Sequence, residues 1–153
     1  MVIKARAGVL RTAILIVGAA IFVFPIKTLL AEDQPITETL LDTQTTNLGQ
    51  PIDYPTGTPA QITAMIVTLA PGQETGRHRH PIPLYGQVLS GQVTIDYGDY
   101  GDYGELGSKT YKAGEAFMEA VDTWHNGRNS GEETLRILAV FMGAEGVAKV
   151  ERP

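Results

Sequence analysis

Short apolar stretches, separated by glycine and proline turns, follow one another through the second half of the chain. The stretch 61–70 ends at the turn pair Pro71-Gly72, and every second residue from Leu135 to Phe141 is apolar. When apolar residues occur at every second position, their side chains lie on one face, which is typical of a strand with one buried face. The pattern therefore predicts a strand at each end of this region.

Other stretches carry the same strand signal, namely 84–89, 92–97, 109–112 and 116–121. The pair Ser90-Gly91 between the first two predicts a tight hairpin. Residues 34–50 predict an N-terminal strand or arm, and the proline-rich stretch 51–59 predicts a loop. Because no helical period occurs after residue 31, the sequence predicts an all-β domain built as a sandwich or a barrel.

The N-terminal region has a different pattern. Residues 12–24 are apolar without interruption and follow Lys4, Arg6 and Arg11, a layout typical of a secretory signal peptide that would be cleaved after Ala31. The alternative is an uncleaved membrane anchor, since residues 9–30 come close to the length of about 20 residues that a bilayer requires. Both interpretations predict that the remainder lies in the periplasm or elsewhere outside the cytoplasm.

Charge and cysteine content exclude several kinds of partner and site. The first 31 residues hold basic residues and no acidic ones, which leaves 8 basic against all 17 acidic residues, a charge of about −9, in the remainder. A nucleic-acid partner requires a basic face, so we expect none. The chain has no cysteine, which excludes disulfides, thiolate nucleophiles and cysteine-based metal sites.

The three histidines of the chain are His78, His80 and His125. On an extended segment His78 and His80 project from the same face with Cα atoms about 6–7 Å apart, close enough for both imidazoles to reach one ion. A closed sheet could bring His125 opposite this pair. The alternative is that the pair is solvated in a turn.

The residues around the histidines form two ordered motifs. The first consists of Gly72, His78-Arg79-His80 and Gly91, and the second of Gly114, Asp122, Thr123-Trp124-His125 and Asn129. Together they resemble the small single-domain proteins of the cupin superfamily, of the cupin-2 type. The resemblance implies a jelly-roll (double-stranded β-helix) barrel at residues 60–143, after an apolar signal or anchor helix at 1–31 and an arm and loop at 32–59, and before a C-terminal tail at 144–153. It also implies metal binding by His78, His80 and His125.

The sequence departs from the cupin pattern at a ligand position. The family usually has a glutamate ligand four residues after the second histidine, where this chain has Leu84, and its second-motif proline and glycine correspond to Ala120 and Asp122. Three neutral imidazoles leave open positions on a divalent transition metal, which could be Fe, Zn, Mn, Ni or Cu. Such a site is similar to that of the three-histidine cupins, among which thiol dioxygenases are known.

Glu119 is the candidate catalytic residue, because it replaces an apolar residue of the family pattern six positions before His125. It is either a pocket acid, acting as ligand, supporting partner or general base, or an outward surface charge. Arg77 or Arg128 could grip an anionic substrate at the pocket mouth. The tyrosines of the Tyr-Gly-Asp repeat, Tyr97, Tyr100 and Tyr103, are expected in a surface loop, and Asn129 is expected to hold a turn.

Three functions are compatible with these features. The first is an exported metal-dependent enzyme, an oxygenase, an isomerase or a lyase, acting on a small molecule. The second is a small-molecule or metal-binding module without turnover, because the glutamate position is Leu84. The third is a structural barrel defined by a membrane anchor or a partner. A homodimer through edge strands is expected by resemblance and would cover an exposed edge.

Overall fold

The computed structural model describes residues 37–98 and 107–153. These residues form seven strands and no helix: β1 Ala60–Leu69, β2 Leu84–Ser90, β3 Gln92–Asp96, β4 Ser108–Lys112, β5 Ala116–Met118, β6 Asn126–Asn129 and β7 Leu135–Ala144. The all-β prediction is confirmed for this part of the chain. The predicted signal or anchor segment at 1–31 and the repeat tyrosines Tyr100 and Tyr103 lie outside the described residues. Within the described ranges, no helix is long and apolar enough to cross a membrane.

The strands form two sheets that enclose the core. One sheet has the order β1-β7-β2-β5 and the other β4-β3-β6, and the pairs within them are antiparallel. Alternation in β7 agrees with the prediction, since every second residue from Leu135 to Phe141 is buried. The buried side chains of β7 either belong to the same core cluster as Val93 and Ile95 of β3 or line the same cavity as these two residues. The space between the sheets is therefore apolar.

The hairpin predicted at Ser90-Gly91 is wrong. β2 pairs with β7 and β5, whereas β3 pairs with β4 and β6, so the chain crosses from one sheet to the other at this point. Gly91 has φ of 76°, and a Cβ there would lie 2.9 Å from the Leu135 Cα. The glycine permits the crossing because it adopts a left-handed conformation against the start of β7.

The N-terminal arm, residues 37–59, lies along β5 and the residues after it. The Asn47 backbone N–H donates to the Met118 carbonyl at 2.7 Å. The Gln50 side-chain amide donates to the Val121 carbonyl at 2.9 Å and accepts from the Val121 N–H at 3.0 Å, as a neighbouring strand would. These bonds bring the Asn47 side chain to the interior of the sandwich.

Candidate metal centre

The three histidines lie side by side although they come from separate segments. His78 and His125 exchange two backbone hydrogen bonds of 2.9 Å, and His80 forms a parallel bridge with Val121. The side chains of His78, His80 and His125 are 7%, 5% and 2% exposed. One ring nitrogen of each lies within 4.8 Å of the other two. The predicted cluster is therefore present, and the alternative of solvated histidines is wrong.

Hydrogen bonds set the tautomer of each ring. The Nδ1 atom lies 2.8 Å from the Gly76 carbonyl in His78, 2.9 Å from the Lys149 carbonyl in His80 and 2.8 Å from the Thr123 carbonyl in His125. A carbonyl oxygen can only accept, so each Nδ1 carries the proton and donates it. In each neutral ring Nε2 then holds a free lone pair, which is the form that a metal ligand requires.

Burial keeps two of these rings neutral. Loss of solvation, with a smaller contribution from the neighbouring His125, lowers the pKa of His78 from 6.5 to about 4. Loss of solvation likewise lowers the pKa of His80 to about 3. Since a metal binds the unprotonated imidazole, both rings are ready for a metal at neutral pH.

The ring positions fit a divalent metal. Nitrogens bound tetrahedrally to one ion at about 2.1 Å lie about 3.4 Å apart, so nitrogens within 4.8 Å of one another need to approach by at most about 1.4 Å. The three Nδ1 hydrogen bonds orient the rings in the way that supports metal-bound histidines in other proteins. The three-histidine group is suited to a divalent metal.

Glu119 points into the pocket and is only 4% exposed, so the alternative of an outward surface charge is wrong. Its Oε2 atom lies 4.0 Å from the His125 Nε2 atom. The Glu119 backbone N–H donates to the Leu84 carbonyl at 2.8 Å. A carboxylate therefore enters from the strand next to the one on which the family usually places its glutamate.

The second carboxylate oxygen of Glu119 is held in place. Oε1 accepts a short hydrogen bond from the Tyr97 hydroxyl, a bond of 3.0 Å from the Ala120 N–H and one of 3.4 Å from the Asn47 side-chain amide. Tyr97 is fully buried, so the prediction that it lies in a surface loop is wrong. Burial and the Glu119 charge raise the Tyr97 pKa, which keeps the phenol protonated and donating. Oε1 is thus anchored while Oε2 faces His125.

The histidines and Glu119 line a cavity of about 350 Å³ between the sheets. Its walls are mainly apolar and include Val67, Leu69, Leu84, Phe117 and Phe141. Polar side chains from the rest of the lining are Glu74, Thr75 and Arg152. The cavity therefore combines a mainly apolar wall with a small number of polar and charged groups, as small-molecule sites commonly do.

The other candidate residues are not among those that line the cavity. The guanidinium groups of Arg77 and Arg79 each lie 5.1 Å from the centre of the Trp124 ring. Arg128 is an exposed residue of β6. Asn129 is buried and its amide donates to the carbonyls of Leu69 and Glu133, which confirms that it holds a turn.

Sequence reasoning missed the contributions of Asn47 and Lys149 to the site. Asn47 lies in the arm that precedes the two motifs, and its amide donates to the Tyr97 hydroxyl at 2.5 Å. Lys149 contributes only its backbone carbonyl, through the bond to His80. A backbone carbonyl is common to all residue types, so the sequence held no signal for it.

Two solved structures of known proteins are similar to this chain in fold. A structure of oxalate decarboxylase from Lactobacillus farciminis in complex with formate matches with 23% identity and a TM-score of 0.50, over 59% of this chain and 26% of that chain. A structure of Bacillus subtilis oxalate decarboxylase, with Mn(II) centres, matches with 23% identity and a TM-score of 0.51, over 59% of this chain and 23% of that chain. The chain thus spans about a quarter of their length, and the likeness shows a shared fold.

No curated protein sequence matches the chain. The sequence profile of the family described as "Cupin domain" matches residues 65–141, about half of the chain, and includes the three histidines and Glu119. On this match, the protein belongs to the cupin domain family.

Proposed function

We propose that this protein is a metal-dependent enzyme that acts on a small molecule, as an oxygenase, an isomerase or a lyase. The observation that carries the proposal is the set of three buried imidazoles, each with Nδ1 bonded to a backbone carbonyl, beside an anchored carboxylate. His78, His80 and His125 are the ligands of a divalent transition metal. When bound, the metal supplies a Lewis acid with open positions for a ligand.

Glu119 is the proposed general base. Tyr97, Ala120 and Asn47 hold its Oε1 atom, which leaves Oε2 facing the space beside His125. A carboxylate held at one oxygen keeps the other in a fixed direction, so it can take a proton from a ligand bound there. The apolar walls exclude water from that proton transfer.

The cavity favours a ligand with an apolar body and one anionic group. Three neutral imidazoles leave a divalent metal with two positive charges, and ionised Glu119 leaves one to be neutralised by the ligand. Val67, Leu69 and Phe141 would contact the apolar body. A small dianion would leave these apolar walls unused.

The second candidate is a binding module without turnover. The presence of Leu84 at the family's usual glutamate position favours it, because the family ligand set is then incomplete. On this alternative Glu119 completes the ligand set instead of acting as a base. Replacement of Glu119 separates the two, as described below.

Export and self-association complete the proposal. The apolar N-terminal segment supports export, with either a cleaved signal peptide or an anchor at residues 9–30. Two copies would pair through β1, since Ala60–Leu69 is an uncharged strand at the edge of its sheet.

Metal analysis of the untagged protein, purified without chelators, tests the proposal. We expect about one equivalent of a divalent transition metal in the wild-type protein, and its loss in the separate variants His80→Ala and His125→Ala. Retention of metal by both variants would reject the shared site. Glu132→Gln, a change at an exposed acidic residue in a turn, is the control and should retain the metal.

Glu119→Gln distinguishes the enzyme from the binding module. If Glu119 is a base, the variant retains metal, while oxygen consumption or substrate turnover by the Fe(II)-loaded protein falls by about 100-fold or more. If Glu119 is a ligand, the variant loses metal. Retention of metal together with turnover equal to that of the wild type would contradict both roles.

A further inference from the structure

The last residues of the chain run back along the histidine pair. We call Lys149–Arg152 the C-terminal segment; it lies beyond the region that matches the cupin profile. The Arg79 N–H donates to the Glu151 carbonyl at 3.0 Å, and the Glu151 N–H donates to the Arg79 carbonyl at 2.9 Å. The segment is therefore paired, in antiparallel fashion, with the residue that separates His78 from His80.

Side chains reinforce this pairing on both sides of Glu151. The Glu151 Oε2 atom accepts from the Arg79 Nε atom at 2.8 Å and lies 2.7 Å from a terminal guanidinium nitrogen of the same side chain. Arg152 donates to the Thr75 carbonyl at 3.0 Å. Both guanidinium contacts are to the same carboxylate oxygen, and hydrogen bonds between ionised groups at these distances are stronger than neutral ones. These contacts hold the backbone of the C-terminal segment beside His80.

His80 depends on this segment for its orientation. The acceptors for His78 and His125 lie two residues away in sequence, whereas the acceptor for His80 is the carbonyl of Lys149, 69 residues away. Two of the rings are thus oriented by their own local turns. The third is oriented only if the end of the chain is docked.

We propose that the C-terminal segment is a positioning element of the metal centre, in which the Lys149 carbonyl fixes the His80 ring and the Arg79–Glu151 pair holds that carbonyl in place. The proposal rests on the proposed metal site. Without the carbonyl, the proton of His80 is free to move to Nε2, where it blocks the lone pair that the metal requires. Val150 and Arg152 also line the cavity, so the same segment forms part of its wall.

The test compares Co(II) affinity in the full chain, a chain ending at Ala148, Glu151→Gln and Glu145→Gln. We expect about 10–100-fold weaker binding in the shortened chain, as for the loss of other outer partners of metal-bound histidines. Glu151→Gln should bind several-fold more weakly, because it retains the segment but loses the ion pair. Glu145→Gln makes the same charge change at an exposed residue outside the segment and should bind as the wild type does.

Nitrogen chemical shifts of the histidine rings in the metal-free protein provide a second readout. The full chain should show His80 with the proton on Nδ1, and the shortened chain should show a mixture of tautomers, with His78 and His125 unchanged. Unchanged Co(II) affinity and unchanged His80 shifts in both variants would overturn the proposal; if the shortened chain does not fold, Glu151→Gln decides alone. If the full chain does not bind Co(II), the proposed function fails, and the shifts still test the positioning of His80.

Discussion

Single buried residues determine how the site responds to pH. In the unfolded chain His78 and His80 take up protons near their usual pKa of 6.5, but in the folded protein their pKa values are lowered to about 4 and about 3. Between pH 6.5 and the lowered pKa values of the folded protein, the unfolded state binds more protons than the folded state. Folding is therefore favoured at higher pH, and this stability is lost as the pH falls.

We expect the contribution of His78 and His80 to the free energy of unfolding of the metal-free protein to be constant above about pH 6.5. Below about pH 6.5 this contribution should decrease as the pH falls. The slope contributed by each histidine is at most about 1.4 kcal/mol per pH unit. Urea unfolding in the presence of a chelator at pH 7.0, 6.0 and 5.0 measures it. The His80→Gln variant should show a shallower slope, and equal stability of the wild type at all three pH values would contradict the prediction.

The same residue scale shows where sequence information ends. The spacing of His78 and His80 predicted one shared face, and the motif placed His125 with them. The direction of the Glu119 side chain could not be predicted, because apolar residues occur on both faces of the strand around it. Asp122 replaces the family's glycine yet has φ of 51°, the left-handed conformation that glycine favours. The turn therefore requires the left-handed conformation at position 122 even though the residue there is not glycine.

Tyr97→Phe tests the hydrogen bond that anchors Glu119. Removing the hydroxyl leaves a buried carboxylate oxygen with fewer donors, so we expect the free energy of unfolding to fall by about 1–3 kcal/mol. Denaturant unfolding measures this effect. Tyr54→Phe removes a hydroxyl from a residue that is 63% exposed and should change stability by less than about 0.5 kcal/mol. Equal effects of the two changes would contradict the anchoring role of Tyr97.

At the scale of strands, the alternation of apolar residues predicted the strands that have one buried face. β7 follows the predicted stretch closely because buried residues alternate with more exposed ones along it. β1 also coincides with its predicted stretch, although most of its residues are exposed. β6 was not predicted, since its sequence Asn-Gly-Arg-Asn has no apolar residue. It exists because it pairs with β3, a contact with a distant strand that local pattern does not contain. The crossing at Gly91 was missed for the same reason.

Gly86 of β2 is required by its neighbour on β5. A Cβ at this position would lie within 2.9 Å of three ring carbons of Phe117, and that ring is stacked on Tyr111 with centroids 4.4 Å apart. Because Phe117 cannot move without disturbing the core, we expect Gly86→Ala to destabilise the protein by about 1–3 kcal/mol. Thermal and denaturant unfolding measure the effect.

Gly131→Ala is the matched control for Gly86→Ala. Its Cβ would meet no heavy atom closer than 3.5 Å, which is ordinary contact distance, so we expect a change near zero or a slight gain in stability. If Gly86→Ala proved as stable as Gly131→Ala, close packing of Phe117 over β2 would be contradicted.

On the scale of the whole molecule, segments on both sides of the matched domain complete the site. The arm contributes Asn47, and the C-terminal segment contributes the carbonyl that orients His80. Most of the barrel strands could be predicted because they carry a strand-like pattern of apolar residues, with β6 as the exception. These outer segments act through backbone atoms and single amides, so their docking follows from tertiary structure alone.

The proposed homodimer is tested at the exposed edge of the larger sheet. Ile62 and Ile66 of β1 are 62% and 44% exposed and point away from the cavity. Two-fold pairing of β1 with a second copy would satisfy the backbone groups at this edge and give both side chains cross-strand neighbours. Sedimentation equilibrium of residues 32–153 should then show a dimer.

Lysine at this edge should separate the two copies. If the two-fold axis passes near Ala64, Ile62 of one copy lies opposite Ile66 of the other. Ile62→Lys combined with Ile66→Lys then places like charges across the interface and should shift the equilibrium to monomer. Leu89→Lys is the control, because Leu89 is 42% exposed on β2, which lies inside the sheet order and not at its edge. Dissociation by Leu89→Lys alone would indicate pairing through the sheet face, and a monomeric wild-type protein would contradict the dimer. A dimer that survives the β1 lysines would exclude this edge as the contact, because like charges directly opposite each other on paired strands are destabilising.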